Sequence, residues 1–212
     1  TFLKGVAKYL RCTKNWGIRF HRPSKQDDED LLPGWWSEIE IPDDLGHFPV
    51  DINKPELNCF VDAAHANDQR TRRSTTGFVF TFAGGAVLYR SRTQSIVATS
   101  STEAEFIAAV DAAKNAKYLR QVLLQLGYDQ SYPNPIYCDN EAAIQIVNDN
   151  RMPTDRIQHL EIRWFAIQDW CENKEIILNH LPGIHMPSDA QTKPLGWVLH
   201  TRHCRRMMGH HH

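Results

Sequence analysis

Four acidic residues stand where a carboxylate is otherwise hard to explain: Asp62, Glu105, Asp139 and Asp189. Asp62 closes the apolar run LNCFVD and Asp139 closes a second, PIYCD. Asp189 opens a helical segment just after a third run, IILNHLPG. Glu105 lies in the first turns of a long helical pattern, SSTEAEFIAAVDAAKNAKYLRQVLLQLG. Strand ends and neighbouring helix starts converge on one edge of an α/β sheet. Carboxylates gathered there repel one another unless hard cations lie between them. The chemistry this implies is phosphoryl transfer at a two-metal site. Any one acid at an element end is commonplace, and it is the ordered set that carries the reading. Glu103 reads instead as a first-turn carboxylate favoured by the helix dipole, and Asp111 as structural or peripheral.

The elements that must position these acids follow from periodicity and punctuation. Thr1 to Thr13 has helical spacing, with Phe2, Leu3, Val6, Tyr9 and Leu10 on one side. TKNWGIRFHRP reads as a short strand stopped by Pro23. Residues 24–56, rich in Asp, Pro and Gly, read as a surface loop or insertion of unusual length. From Leu57 the pattern is regular. LNCFVDAAH is a strand, and TTGFVFTFA with GAVLYRSRT reads as a hairpin around Gly84 and Gly85. The long helix follows, capped by Ser100 or Ser101 and ended by Gly127. PIYCD is a strand and NEAAIQIVND a short helix. TDRIQHLEIRWFAIQDWCENK, after Pro153, is a second helical pattern. IILNHLPG is the last strand, and Ser188 onward reads as the last helix. A three-stranded meander extended by crossover-connected strands gives an α/β fold: a mixed five-stranded sheet covered by helices.

Size and composition fit one substantial domain with appendages: 212 residues, 42% hydrophobic and 23% charged. A formal net charge of −1 means that any polyanion must be held by local patches. QRTRR, YRSR and RHCRR are basic stretches, whereas QDDEDLL is acidic. Cys12, Cys59, Cys138, Cys171 and Cys204 are scattered and never in C-x-x-C spacing. That disfavours a disulfide framework or a zinc ribbon and fits a reducing compartment. No apolar stretch approaches membrane-spanning length and no signal peptide is visible. The start, TFLKGV, reads as a cut inside a longer polypeptide, and GHHH at 209–212 as a tag remnant.

Several short motifs occur together and in one order: FVDAAHAND, RRSTTGFVF, SSTEAEFIAAV, IYCDNEAAI, QHLEIRWF and SDAQTKPL. From about Cys59 to Leu195 the chain resembles the ribonuclease H domain of copia-type LTR retrotransposon polyproteins. LKGVAKYLRCTKNWGIRF resembles the segment that joins reverse transcriptase to ribonuclease H in such polyproteins. The resemblance implies the end of a connection segment at 1–23, an insertion at 24–56 and a ribonuclease H-like domain at 57–208. It places the family's catalytic and metal-binding acids on Asp62, Glu105, Asp139 and Asp189. Glu105 is preferred to Glu103 because E-F-I-A-A-V puts the acid directly before the apolar helix face. The chain departs from the family's usual D-A-D-W start, with Ala64 and His65 in DAAHAND, and carries polar residues around the Asp of MPSDAQTKPL.

The implied reaction is hydrolysis of the RNA strand of an RNA–DNA hybrid with two Mg²⁺ ions, Mn²⁺ being a possible substitute. Asp62 and Asp189 would bridge one ion; Asp62, Glu105 and Asp139 would hold the second. The implied partners are the hybrid and the reverse transcriptase domain of the same polyprotein, with no membrane. The implied location is the cytoplasm, in retroelement particles, or the nucleus, and not outside the cell. Asn140, Ser101, Thr102 and the backbone at Ala63 and Ala64 are the expected hybrid contacts; for Ser101 the alternative is plain helix capping. Arg70, Arg72 and Arg73 would hold phosphates, or form a solvated turn. His185, on the loop before Asp189, matches a histidine that assists proton transfer or product release in related ribonucleases H; the alternative is a surface loop histidine. His159 matches a family histidine on a helix that, with Arg156 and Arg163, would contact the hybrid or else pack. His180 reads as structural. Two other readings stay open: a non-catalytic nucleic-acid-binding connection module, and a related-fold DNA nuclease.

Overall fold

The computed structural model describes residues 48–52, 54–148 and 161–209. The helix expected at Thr1–Thr13, the strand after it, residues 24–47, Arg156, His159 and the tag remnant beyond Gly209 lie outside the described residues. The five expected strands are present as β1 (Asn58–Ala64), β2 (Thr75–Phe82), β3 (Gly85–Thr93), β4 (Asn134–Cys138) and β5 (Ile176–His180). They form one sheet in the order β3-β2-β1-β4-β5. β1, β2 and β3 pair antiparallel, whereas β4 lies parallel to β1 and to β5. The helices are α1 (Ser101–Gln125), α2 (Glu141–Asn148), α3 (Glu161–Glu172), α4 (Asp189–Thr192) and α5 (Trp197–Met207), with a 3-10 turn at Gly183–His185.

The β2–β3 turn sits one residue earlier than the Gly-Gly pair suggests. Gly85 already belongs to β3, and Ala83 and Gly84 make the turn with φ of 49° and 88°. Two successive left-handed residues match the twist of a hairpin. Ala83 tolerates this conformation because its N–H and that of Gly84 donate to the carbonyls of Lys54 and Ile52. At the start of α1, Ser100 is the N-cap: its Oγ accepts from the Glu103 N–H at 3.1 Å. Glu103 reaches back to accept from the Thr99 N–H at 2.7 Å, a reciprocal cap. Gly127, at φ +86°, follows the helix end.

The two faces of the sheet differ. Val61, Ala63, Phe78, Phe80, Ile136 and Leu178 point into the main apolar core. There they meet a run of buried alanines on α1, from Ala104 to Ala116, and Ile144, Val147, Trp164 and Ile167 of α2 and α3. Small residues let α1 lie close to the strands. On the other face Phe60 packs with Ile52, Leu181 and Met186 and stacks on Tyr137 at 5.3 Å. So the last residues of the expected insertion cover this face. The segment from Ser188 onward is not one helix. After four residues α4 stops at Lys193, which is extended (φ −130°, ψ 145°). Pro194 is the cause, since it disfavours a helical residue before it and has no N–H to continue the helix. Among the described residues no helix is long and apolar enough to cross a membrane.

Candidate active site

Asp62 and Asp139 arrive at the same edge on adjacent parallel strands. Cys59 and Phe60 pair with Ile136 and Tyr137, so the same register, continued, puts Asp139 level with Asp62. Alternation sends both away from the main core, onto the face that carries Phe60. Asp62 is fully buried. α4 crosses this face and supplies Asp189. It can do so because residue 77, opposite Asp62 on β2, is glycine. A Cβ there would stand 2.5 Å from Thr192 Cγ2 and 2.8 Å from Gln191 Cβ. Carboxylate oxygens of Asp62, Asp139 and Asp189 all lie within 4.8 Å of one another.

Glu105 comes over the edge from the other side. Its Oε1 accepts from the Ala63 N–H at 3.0 Å, and the Cys138 thiol donates weakly to Oε2 at 3.8 Å. Glu105 and Asp139 also bring oxygens within 4.8 Å of each other, with Cys138 Sγ. Glu103, engaged with Thr99 and Ser100, takes the structural role assigned to it from the sequence.

Electrostatics follow the crowding. Burial, then the charges of Asp62 and Asp139, push Glu105 up to about 9. Burial and Asp62 raise Asp189 to about 6 and raise Asp139 as well. Two groups absent from the sequence-derived site temper this repulsion. Thr192 Oγ1 donates to Asp62 Oδ2. Lys193 Nζ bridges Asp62 Oδ1 at 2.9 Å and Asp189 Oδ1 at 3.0 Å. Burial works against the Lys193 ammonium, but Asp62 and Asp189 together hold its affinity for the proton above the ordinary.

The donor set suits hard divalent cations, because three carboxylates converge and the nearest sulfur is a buried thiol kept protonated. Burial and the neighbouring Glu105 charge raise the Cys138 pKa. Asp62, Asp139 and Asp189 would hold one ion, and Glu105 with Asp139 borders a second position.

The remaining expected site residues are placed as follows. Ala63 spends its N–H on Glu105, inside the site. Ser101 is exposed, and with Ser100 as the cap its hydroxyl is not the capping group; Thr102 is partly exposed beside it. Asn140 Oδ1 accepts from the Ala143 N–H at 3.0 Å, capping α2. Arg70, Arg72 and Arg73 are exposed on the turn after β1, which Asp68 organises by accepting from the Arg70 and Thr71 N–H groups. His65 Nε2 donates to the Ala98 carbonyl at 3.1 Å. His185 Nδ1 lies 3.3 Å from Arg202 Nη2. RHCRR is not a surface patch: Arg202, His203, Arg205 and Arg206 are buried, with Arg206 3.9 Å over the Phe48 ring. His180 is a surface residue 4.0 Å from Glu141. The signals that sequence reading passed over were Gly77 inside a strand, where glycine marks close backbone approach, and the Thr-Lys pair of TKPL.

A mixed sheet in the order 3-2-1-4-5, with acids gathered at the end of β1 and β4, defines a ribonuclease H-like domain. No protein-family model matches the sequence. The chain is 35% identical over 139 residues to the retrovirus-related Pol polyprotein of transposon TNT 1-94 from Nicotiana tabacum, covering 66% of this chain and 10% of that protein. It is 27% identical over 164 residues to the Pol polyprotein of transposon RE2 from Arabidopsis thaliana, covering 77% of this chain and 11% of that one. The chain is a ribonuclease H-like domain homologous to Pol polyproteins of copia-type retrotransposons, and it spans about a tenth of the length of these relatives. Among solved structures it is similar to LC11-RNase H1, isolated from compost, with a TM-score of 0.49 and 14% identity over 65% of this chain and 93% of that one.

Proposed function

We propose that this domain is a metal-dependent endoribonuclease that hydrolyses the RNA strand of RNA–DNA hybrids during retroelement reverse transcription. The observation that carries the reading is the convergence of Asp62, Asp139 and Asp189, from three separate elements, to within 4.8 Å of one another. A fold does not need such a cluster, and burial of Asp62 makes it costly.

Two Mg²⁺ ions, when bound, would supply an acidified water and charge neutralisation at the leaving oxygen. The chain's own residues do the rest. Asp62, buried and fixed by Thr192, is the rigid anchor of the cleft. Glu105, protonated near neutral pH in the metal-free protein, must give up its proton to become a ligand, so metal loading releases protons. His185, oriented by Arg202, would offer an imidazole for proton transfer. The exposed Ser101 hydroxyl, Thr102 and the Asn140 amide N–H₂ would read a 2′-hydroxyl. Arg73 and its neighbours on the adjoining turn would hold phosphates. The partner in the polyprotein would be its reverse transcriptase domain, and the site of action the cytoplasmic particle or the nucleus.

The test is cleavage of a labelled hybrid in Mg²⁺ beside its Asp139→Asn variant, with double-stranded RNA and DNA as parallel substrates. Asp139→Asn is expected to keep its circular dichroism spectrum and lose cleavage. Normal cleavage by the variant would remove Asp139 from the site. Hybrid retention without cleavage by the unmodified domain would point to a binding module, and cleavage confined to DNA would point to a DNA nuclease.

A further inference from the structure

Both oxygens of Asp62 are taken. Oδ2 accepts from Thr192, and Oδ1 faces Lys193 Nζ at 2.9 Å. The same ammonium is 3.0 Å from Asp189 Oδ1. A single monovalent cation therefore sits between two acids that also belong to the candidate metal cluster. The side chains of Asp62 and Asp189 are only 0% and 15% exposed, whereas that of Lys193 is 40% exposed. The acids are thus fixed and the lysine has a way out. Its backbone does not need to move: Lys193 N–H is tied to the Asp189 carbonyl at 2.9 Å, and Pro194 limits the chain behind it. Rotation about the four-carbon stem is enough to take the strongly hydrated ammonium into water.

We infer that Lys193 is a resident counter-ion of the cleft, holding the place between Asp62 and Asp189 that a divalent ion takes and leaving it when that ion binds. This inference rests on the metal-site reading above. Without Lys193 the metal-free cleft would hold two nearby carboxylates with no cation between them. With Lys193 the cleft is preformed, and a divalent ion must compete with an ammonium for the same oxygens. Lys193 is thus a positioning residue that lowers divalent-ion affinity while stabilising the metal-free fold.

Two measurements on the full chain without nucleic acid test this. The first is Mn²⁺ affinity by electron paramagnetic resonance for the unmodified protein, Lys193→Met and Lys193→Arg. Lys193→Met should bind the first Mn²⁺ at least about fivefold more tightly, the low end of ordinary coupling between sites, with Lys193→Arg close to the unmodified protein. The second needs no variant: amine acetylation at Lys193, read by mass spectrometry, should accelerate severalfold when Mn²⁺ is added. Equal or weaker Mn²⁺ binding by a folded Lys193→Met would overturn the inference. So would a Lys193 labelling rate indifferent to Mn²⁺ while the protein demonstrably binds it. Absence of any Mn²⁺ binding by the unmodified protein would instead bring down the metal-site reading itself.

Discussion

The two faces of the sheet divide the work. The face covered by α1, α2 and α3 is mainly apolar, with Phe78, Phe80, Phe106 and Ile136 fully buried, and its buried Gln94 donates to Thr76 Oγ1 and the Ala104 carbonyl. The other face has a small apolar cluster around Phe60 and, beside it, Asp62 with Thr192 and Lys193. The first holds the fold and the second holds the charge. That separation lets the cleft carry acids displaced from their usual ionisation while the chain stays folded from behind. Glu103 and Glu105 show the same division within one helix turn. One carboxylate serves the helix end and the other leans over the edge into the cleft.

The comparison can be broken most strongly at Gly77, where the second face depends on close approach of α4. Gly77→Ala should push α4 off β2 and displace Asp189, Thr192 and Lys193 together. Displacement of about 1 Å costs on the order of a hundredfold in rate, while overpacking costs about 1–3 kcal/mol in stability. The counterpart on the first face is Phe80→Ala, expected to cost about 3–5 kcal/mol in urea unfolding while the molecules still folded cleave normally. If Phe80→Ala and Gly77→Ala have the same balance of effects, the two faces are not separate. His185→Ala, within the second face but outside the carboxylates, should slow hybrid turnover by roughly a hundredfold if it transfers a proton. An unchanged rate in single-turnover cleavage would confine His185 to packing against Arg202 and Phe48.

The finest test uses pH. The folded-state pKa of Glu105, about 9, lies above its ordinary 4.5. Between those values the folded protein keeps a proton that the unfolded chain has lost, so stability falls as pH rises through that window. Glu105→Gln should remove much of this slope and be more stable than the unmodified protein at pH 8, by more than about 1 kcal/mol. Thermal unfolding at pH 5 and pH 8 without divalent ions reads the difference. A steeper slope in Glu105→Gln would show that another acid carries the strain.

Much of this was legible before the fold was seen. Strands read well because β-branched and aromatic residues alternate between Gly and Pro punctuation, and the acids because each stood at the end of a strand or the start of a helix. The choice between Glu103 and Glu105 followed from the motif E-F-I-A-A-V, which agrees with helix geometry. What could not be read were contacts between distant segments. Lys193 stands 131 residues from Asp62, and no local pattern announces that pairing. The buried run Arg202–Arg206 misleads for the same reason, since charge counted along a chain does not say which side faces water. The last-helix break was visible in Pro194, and the expectation of a continuous helix gave that residue too little weight.

The backbone carbonyls of Ile52 and Lys54 hold the Ala83–Gly84 turn, and Ile52 with Phe48 shields Phe60. Anyone trimming this domain for expression would be tempted to begin at Leu57, where the regular pattern starts. Such a fragment would keep every acid yet lose the strap that fastens the hairpin tip and roofs the second face. Phe48, Ile52 and Lys54 therefore belong to the same unit as the motifs that follow them.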